Sequence, residues 1–349
     1  LRAKALHESQ ITCGDIFKRA GYTTGIAGKW KQSRGSSTTS GINYVELFGW
    51  DEVHCFDLIG EGARHIAPNF VINGVLQYYN QNFNGGIDPE TGRRYYGPDL
   101  VNRFALNFIE ENQDGPFFLY YPMLLVHDEH TPTPDTVPQE AYDDFQVVTY
   151  PYVTPAPYGA FQGDDRRYYP DMAAYMDKMI GRVTDKLDEL NLREDTLIVV
   201  MGDNGTKQAF SYTLADGSEF VGGKGECRAN GMQVPLILSH PGTINQGNTY
   251  DGLVNITDIM PTICEAAGIE VPNADDIDGI SFWPQVIGTS TDPHREQIYT
   301  WYNANRPMTD TSKLIEFAQE IGFKRYAPDN NYPQGRFFDL RTDPLELVD

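Results

Sequence analysis

Cationic side chains are scarce in this 349-residue chain. Lys and Arg together number 27, against 49 Asp and Glu, so the formal net charge is −22. A charge of that sign repels phosphate groups and therefore disfavours nucleic acid and anionic membranes as general partners. A small anionic substrate remains compatible with it, because a few local cations can override the field of distant charges.

Long apolar runs and paired cysteines are missing as well. Apolar runs such as residues 197–201 are far shorter than the about 20 residues that a membrane helix needs. The four cysteines form no CxxC pair, which argues against a zinc knuckle or a redox motif. No secretion signal is recognisable. Because the chain starts at Leu1 rather than at Met, we expect further residues upstream.

What is present is an alternation of helical and strand patterns, which predicts an α/β fold with a central sheet flanked by helices. Apolar residues at helical spacing predict one helix that ends at Gly21, one that follows a cap at Asp99, one that starts near Pro170 and one over residues 257–267. Apolar runs predict strands at residues 23–27, 117–121, 196–201 and 234–238. The run at 196–201 is typical of a central parallel strand.

The sequence pattern changes after about residue 285. Strand-like pieces at residues 297–302, 323–326 and 336–340 are separated by Pro, Asn and Gly. We therefore predict a large α/β domain over residues 1–285 and a small, mostly antiparallel α+β subdomain over residues 286–349. The stretch 131–163, rich in Pro, Tyr and Asp, predicts a long surface loop near the mouth of a site.

Polar residues follow several of the predicted strands, where ligands bind in parallel α/β sheets. Asp203 and Asn204 follow the strand at 196–201, and their carboxylate and amide oxygens are hard ligands suited to Ca²⁺ or Mg²⁺. Gly205 lets the backbone turn sharply after them. An ordinary Asp-Asn-Gly turn would explain the same residues without a metal.

Histidines and lysines supply two further candidate groups. His127 and His130 are three residues apart, a spacing that suits a metal but is also common on protein surfaces. Lys29 and Lys224 each sit among glycines, where a lysine can place a point charge next to an anion. Each lysine taken alone is equally compatible with a solvated surface residue.

Read in order, these segments resemble the sulfatase family of the alkaline phosphatase superfamily. The matching segments are Gly21-Tyr22-Thr23-Thr24 with Gly28-Lys29-Trp30, residues 117–121 running to His127 and Thr131-Pro132, residues 196–205, Gly223-Lys224-Gly225 leading to Val234-Pro235, Asp258-Ile259-Met260-Pro261-Thr262 with Gly268, and Phe338-Asp339-Leu340 with Asp343-Pro344 and Glu346. The resemblance implies an alkaline-phosphatase-like sandwich, in which the central sheet is mixed and mostly parallel.

Residue roles follow from the resemblance. It implies that Asp203 and Asn204 bind a divalent metal, usually Ca²⁺ in this family, with Mg²⁺ as the alternative. It implies that Lys29, His127 and Lys224 contact the sulfate oxygens or the leaving-group oxygen. Cleavage of a sulfate ester develops negative charge on these oxygens, which cations and fixed donors stabilise. A histidine or lysine near the leaving group can supply the proton that the alcohol needs.

The chain also departs from the family pattern. The family's nucleophile is a formylglycine made within a Cys/Ser-x-Pro-Ser-Arg motif, and no such motif occurs in the 349 residues. We expect that motif, and the two aspartates that complete the metal site, to lie upstream, so that this chain alone has little or no turnover. Lys31 stands where the family often has His, and Gln233 where it often has Arg.

The leading hypothesis is therefore a metal-dependent hydrolase of small aryl or carbohydrate sulfate esters, periplasmic or secreted by family resemblance. Two alternatives stay open on the sequence. The same metal and cationic residues suit a phosphate or phosphonate ester hydrolase of the same superfamily. The absent nucleophile, the absent aspartates and Lys31 also suit a non-catalytic binding module. The sequence does not indicate an oligomeric state.

Overall fold

The computed structural model of the chain describes residues 6–30, 32, 44–56, 63–127, 129–145, 166–215, 217–272, 276–303 and 314–347. It divides into two compact units, Leu1–Arg193 and Glu194–Asp349. The predicted boundary between residues 285 and 286 is a different division and stays a prediction. Among the described residues, no helix combines the length and the apolar character needed to cross a membrane.

A mixed five-stranded sheet organises the first unit. Its strands are β1 (Thr23–Lys29), β2 (Glu52–Phe56), β3 (Asn69–Ile72), β4 (Val75–Tyr78) and β7 (Phe117–Tyr120), while β5 (Ile87–Asp88) and β6 (Arg93–Arg94) form a separate ribbon. The strand order is β4-β3-β2-β1-β7. Strand β1 is parallel to both of its neighbours, β2 and β7, whereas β3 is antiparallel to both of its neighbours, β2 and β4. The parallel part carries the ends of β1 and β7, where the sequence places candidate residues.

Helices of this unit begin and end largely where local signals predict. They are α1 (Cys13–Arg19), α2 (Gly97–Glu111), α3 (Glu140–Asp143) and α4 (Tyr169–Glu189). Thr12 and Asp15 form a capping box at the start of α1, and Gly21, with φ +90°, follows its end.

The predicted cap at Asp99 is wrong. The N-cap of α2 is Tyr96, and Asp99 lies inside the first turn, buried, where it accepts hydrogen bonds from the Tyr175 hydroxyl (2.9 Å) and Arg182 (3.2 Å) of α4. A carboxylate in a first helical turn is favoured by the helix dipole, so its sequence position resembles that of a cap. The side chain instead joins α2 to α4.

Residues 131–145 are partly buried. Thr131, Thr133 and Thr136 are buried, and the Thr136 hydroxyl donates to Asp171 at 2.7 Å. Tyr142 is also buried, with its hydroxyl donating to a backbone carbonyl 2.8 Å away. Residues 131–139 form no helix or strand, as predicted for a loop, and Val137 is exposed, but the buried threonines and Tyr142 pack parts of residues 131–145 against the rest of the unit. Residues 146–163 lie outside the described residues.

The second unit contains two small ladders and a four-stranded sheet. Its elements are β8 (Ile198–Met201), β9 (Ser211–Thr213), β10 (Glu219–Val221), α5 (Ala229–Met232), β11 (Leu236–Ser239), α6 (Ile259–Ala266), α7 (Trp283–Val286), β12 (Gln297–Asn303), β13 (Leu314–Glu320), β14 (Phe323–Tyr326) and β15 (Arg336–Asp339). Strands β12 to β15 pair antiparallel in sequence order, which confirms the predicted antiparallel sheet near the C-terminus.

Strand β8 differs from its prediction. Among the described strands it pairs only with β11, antiparallel, with Met201 opposite Leu236. The prediction of parallel pairing is therefore wrong for the described ladders. A continuous apolar run indicates burial of both faces but carries no information on the direction of the partner strand.

Candidate functional site

Lys29 lies at the carboxyl end of β1, in the first unit. Its backbone N–H donates to the carbonyl of Pro122, 2.8 Å away, in the segment that leaves β7. Gly28 precedes it with φ +124°, and a Cβ there would lie 2.0 Å from the same carbonyl oxygen. Only glycine permits this approach. The glycine therefore fixes Lys29 against the segment that leads to His127.

His127 follows two buried leucines. Leu124 and Leu125 are 3% and 7% exposed, and the His127 N–H donates to the Leu124 carbonyl at 3.1 Å. The histidine itself is half-buried. Lys29 ends β1, and His127 follows the carboxyl end of β7, the parallel neighbour of β1.

Arg64 and His65 hold the turn that follows His127, and sequence reasoning missed both. His65 Nδ1 donates to the Glu129 carbonyl at 3.1 Å, and Arg64 lies 3.4 Å from the Glu129 carboxylate. Burial, aided by the Arg64 charge, lowers the pKa of His65 to about 3, so the ring is neutral. No local pattern marks these residues, because their contacts span more than sixty positions of chain.

The Asp-Asn-Gly turn lies in the second unit, directly after β8. Asp203 and Asn204 are exposed, whereas Gly205 donates its N–H to the Gly231 carbonyl at 2.9 Å. A Cβ at Gly205 would lie 2.0 Å from the carbonyl oxygen of Asn230. The turn therefore packs closely on α5, and its two candidate ligands are exposed.

Lys224 lies beside that turn. Its N–H donates to the Thr206 carbonyl at 2.8 Å, and the Gly222 N–H donates to the Phe210 carbonyl at the same distance. Lys224 is half-buried. The structure therefore brings Asp203, Asn204 and Lys224 together in the second unit, although they are separated in sequence by the β9–β10 hairpin.

Asp203 and Asn204 are the types of ligand that a hard divalent cation prefers, but two ligands are fewer than such a cation needs. Asp203 and Asn204 offer a carboxylate and an amide oxygen, whereas Ca²⁺ takes about six to eight oxygen ligands. Across the part of the chain that the structure describes, no group of three or more His, Cys, Asp and Glu residues could hold a metal ion. His127 and His130 thus gain no third ligand of these types there. The turn can supply part of a coordination shell.

The two departures from the family pattern have different outcomes. Lys31 lies outside the described residues. Gln233 is the C-cap of α5, with its N–H donating to the Ala229 carbonyl at 2.7 Å and its side chain exposed. A side chain in that position is solvated rather than part of the turns that hold Asp203 and Lys224.

Comparison with known proteins gives two family matches. The family model described as "Sulfatase" matches residues 4–269, and the one described as "N-sulphoglucosamine sulphohydrolase, C-terminal" matches residues 227–349. Among curated relatives, an arylsulfatase of Hemicentrotus pulcherrimus is 27% identical over 305 residues, covering 84% of this chain and 49% of the relative. Human arylsulfatase A is 26% identical over 304 residues, covering 83% and 54%. The chain thus spans about half the length of these relatives.

Solved structures share the fold at low sequence identity. The PsFucS1 sulfatase from Pseudoalteromonas sp. superposes with a TM-score of 0.67 at 18% identity, covering all (100%) of this chain and 71% of that one. The structure of BT4656 in complex with D-glucosamine-2-N,6-O-disulfate superposes with a TM-score of 0.68 at 19% identity, covering 99% and 78%. These likenesses confirm the predicted alkaline-phosphatase-like fold.

Proposed function

The chain belongs to the sulfatase family, and on that basis we propose that the protein hydrolyses sulfate esters. The observation that carries the proposal is the family match over residues 4–269, within which all five candidate site residues fall. Support comes from the backbone hydrogen bond between Lys224 and Thr206, which sets the lysine beside the Asp203-Asn204 turn. A cation and two hard ligands side by side suit a reaction in which an oxyanion develops.

Three side chains would act on the substrate. Lys29 and Lys224 would contact the peripheral oxygens of the sulfate group, where negative charge accumulates during cleavage. His127 would contact the bridging oxygen and supply the proton that the departing alcohol needs. Close packing around Gly28 and Gly223, next to the two lysines, limits movement of both turns, so that little ordering is required when the anion binds.

The cation and the nucleophile are further parts of the proposal. Asp203 and Asn204 would hold Ca²⁺, which when bound supplies positive charge that stabilises the sulfate oxygens. The nucleophile would be a formylglycine from outside the 349 residues, because these contain no Cys/Ser-x-Pro-Ser-Arg motif. Without that group we expect little or no turnover from the chain.

Small aryl or carbohydrate sulfates are the proposed substrates. The names of the curated relatives, which include arylsulfatases and N-acetylgalactosamine-6-sulfatases, support this class. The net charge of −22 argues against highly sulfated polymers and nucleic acid, which it would repel. A periplasmic or secreted location is proposed on the family alone.

The experiment that tests the site is calcium binding measured by calorimetry. We expect weak binding by the chain and a loss of about tenfold or more in affinity for Asp203→Ala, because one charged ligand disappears. Asp195→Ala is the matched control, since Asp195 is an exposed carboxylate shortly before β8. Equal affinity in wild type and Asp203→Ala would remove Asp203 from the proposed site.

The experiment that tests the reaction compares hydrolysis of an aryl sulfate and the matching aryl phosphate by the protein carrying its formylglycine segment. We expect the sulfate to be preferred and Lys224→Ala to lower kcat/KM for it by about a hundredfold, as for loss of one oxyanion contact. Preference for the phosphate would assign the protein to the phosphate-ester hydrolases. Turnover of neither ester would support a non-catalytic role.

A further inference from the structure

A buried ion pair lies between the four-stranded sheet and the segment that follows Lys224. Lys324, on β14, is 3.0 Å from Glu346, and their side chains are 2% and 1% exposed. The ammonium also lies 4.1 Å from the centre of the Phe317 ring. Burying two charges costs desolvation energy that an apolar pair of similar size would avoid. The other contacts of the pair are therefore informative about its role.

Both members of the pair form hydrogen bonds with the backbone at the start of α5, residues 227–229. The Lys324 ammonium donates to the carbonyl of Cys227, and the Glu346 carboxylate accepts from the N–H of Ala229 at 2.8 Å. The Tyr326 hydroxyl is 2.9 Å from the Cys227 carbonyl and 2.5 Å from Glu346. Burial lowers the pKa of Lys324, and the charge of Glu346 opposes that shift.

This segment in turn touches both candidate turns of the second unit. The Gly231 carbonyl of α5 accepts from Gly205, next to Asn204. A Cβ at Gly231 would lie 2.3 Å from the carbonyl oxygen of Gly223, next to Lys224. Because Gly231 is hydrogen-bonded to one turn and has no room for a Cβ against the other, a shift of α5 would move both turns.

We propose that Lys324 and Glu346 are positioning residues, which hold α5 in place and through it set the Asp203-Asn204 turn beside Lys224. The description of those turns as ligands of a cation and a sulfate rests on the proposed function, whereas the positioning is a property of the backbone. The ion pair thereby couples the antiparallel sheet to the candidate site. Glu346 takes part although it lies more than a hundred residues from the Asp-Asn-Gly turn in sequence.

Two double variants separate positioning from a purely structural role. K324M/E346M replaces the pair by apolar side chains of similar length, a change that often preserves folding, but leaves the Ala229 N–H without its acceptor. K324M/E346Q removes the same charges and keeps an amide oxygen for Ala229. D339N/R341M, which removes an exposed pair at the end of β15, is the matched control.

The readout is amide hydrogen exchange of Gly205 and Lys224, whose N–H groups report the two turns, with Val200 and Ile237, a directly opposed pair of the β8–β11 ladder, as internal references. We expect exchange at Gly205 and Lys224 to accelerate by about tenfold or more in K324M/E346M, with a smaller change in K324M/E346Q and none in D339N/R341M. The reference amides should keep their protection.

Unchanged protection of Gly205 and Lys224 in K324M/E346M would overturn the proposal. An equal loss at the reference amides would also overturn it, because the pair would then only maintain the fold of the unit. The measurement needs neither calcium nor substrate. A failure of the proposed function would appear as absent calcium binding or turnover with the exchange pattern intact, so the two failures are distinguishable.

Discussion

Buried histidines make the first unit sensitive to acid. His54, on β2, is 5% exposed and its ring lies 4.7 Å from that of Phe70 and 5.3 Å from that of Phe104. Burial lowers the pKa of His54 to about 3, as it does for His65. In the unfolded chain both rings have a pKa near 6.5. The unfolded state therefore binds more protons between pH 6.5 and pH 3, and stability falls as the pH is lowered through that window.

We expect the free energy of unfolding to fall by about 2 kcal/mol for each of these histidines between pH 7.5 and pH 5. In His54→Leu, which keeps an apolar side chain of similar size, the fall should be smaller by that amount. Urea unfolding at the two pH values measures it. His7→Gln, at an exposed position, is the control and should follow wild type. An undiminished fall in His54→Leu would show that His54 is not the neutral buried base inferred from the structure.

Gly28 is required by both its conformation and its surroundings. We expect Gly28→Ala to lower the free energy of unfolding by about 3 kcal/mol, since φ is +124° and the new Cβ would meet the Pro122 carbonyl oxygen. Chemical denaturation would measure the loss. Gly115→Ala is the control, because nothing lies within 4 Å of its Cβ position. Similar stabilities of the two variants would contradict the packing described for the end of β1.

The structural role of a single residue was predictable where neighbouring residues in the sequence indicate it. Glycines next to Lys29 and Lys224 indicated tight turns; the structure shows a backbone contact that requires Gly28, a side-chain contact of Asn230 at Gly223 and a positive φ of +89° at Gly225. Arg64 and His65 were not predictable, because their function in the fold is a contact with Glu129, far along the chain. The roles assigned to Lys29, His127 and Lys224 in binding an anion stay predictions.

Helix α6 is fixed by one carboxylate at its start. Asp258 is fully buried and accepts from the N–H groups of Asn255 and Ile280, both at 2.8 Å, and from His294 and Arg295. Burial alone would raise the pKa of Asp258, but the hydrogen bonds from Arg295, the two backbone N–H groups and His294 hold it below its ordinary value. This contribution to stability is present above the unfolded pKa of about 3.9 and is lost as the pH falls below it.

We expect Asp258→Asn to lower the free energy of unfolding at pH 6 by about 3 kcal/mol, because the Arg295 charge loses its buried partner. The difference from wild type should shrink at pH 3.5, because Asp258 takes up a proton there in the unfolded chain, with a pKa of about 3.9, more readily than in the folded protein, where its pKa is lowered. Urea unfolding at both pH values measures this. Glu265→Gln, on the exposed face of the same helix, should match wild type. A difference that does not change with pH would show that the charge of Asp258 is not what stabilises α6.

Elements were predicted well where apolar periodicity and turn residues agree, and less well elsewhere. The predicted helix over residues 257–267 appears as a 3-10 turn, Ile256–Asp258, followed by α6. Strand β13 was not predicted, because its Glu, Gln and Ala residues favour helix and its pairing with β12 and β14 overrides that preference. Whether such a segment forms a strand depends on the neighbouring strands with which it pairs and not on its own residues alone.

The excess of negative charge acts on the molecule as a whole. A net charge of −22 destabilises the compact state through self-repulsion, which salt screens. We expect the midpoint of thermal unfolding to rise by a few degrees between 20 and 300 mM NaCl. Differential scanning fluorimetry would measure it, and KCl should give the same rise if the effect is screening. A fall in the midpoint would mean that local ion pairs outweigh the repulsion.

The amino-acid sequence by itself determined the fold class, the family segments and the order of the candidate residues. It could do so because apolar periodicity, glycine turns and motifs act over a few neighbouring positions. Only the tertiary structure showed that β8 pairs antiparallel, that Arg64 and His65 contact Glu129 after His127, and that Lys324 and Glu346 form hydrogen bonds with the start of α5. These contacts join positions tens of residues apart, and their energy depends on burial, which the local pattern does not specify.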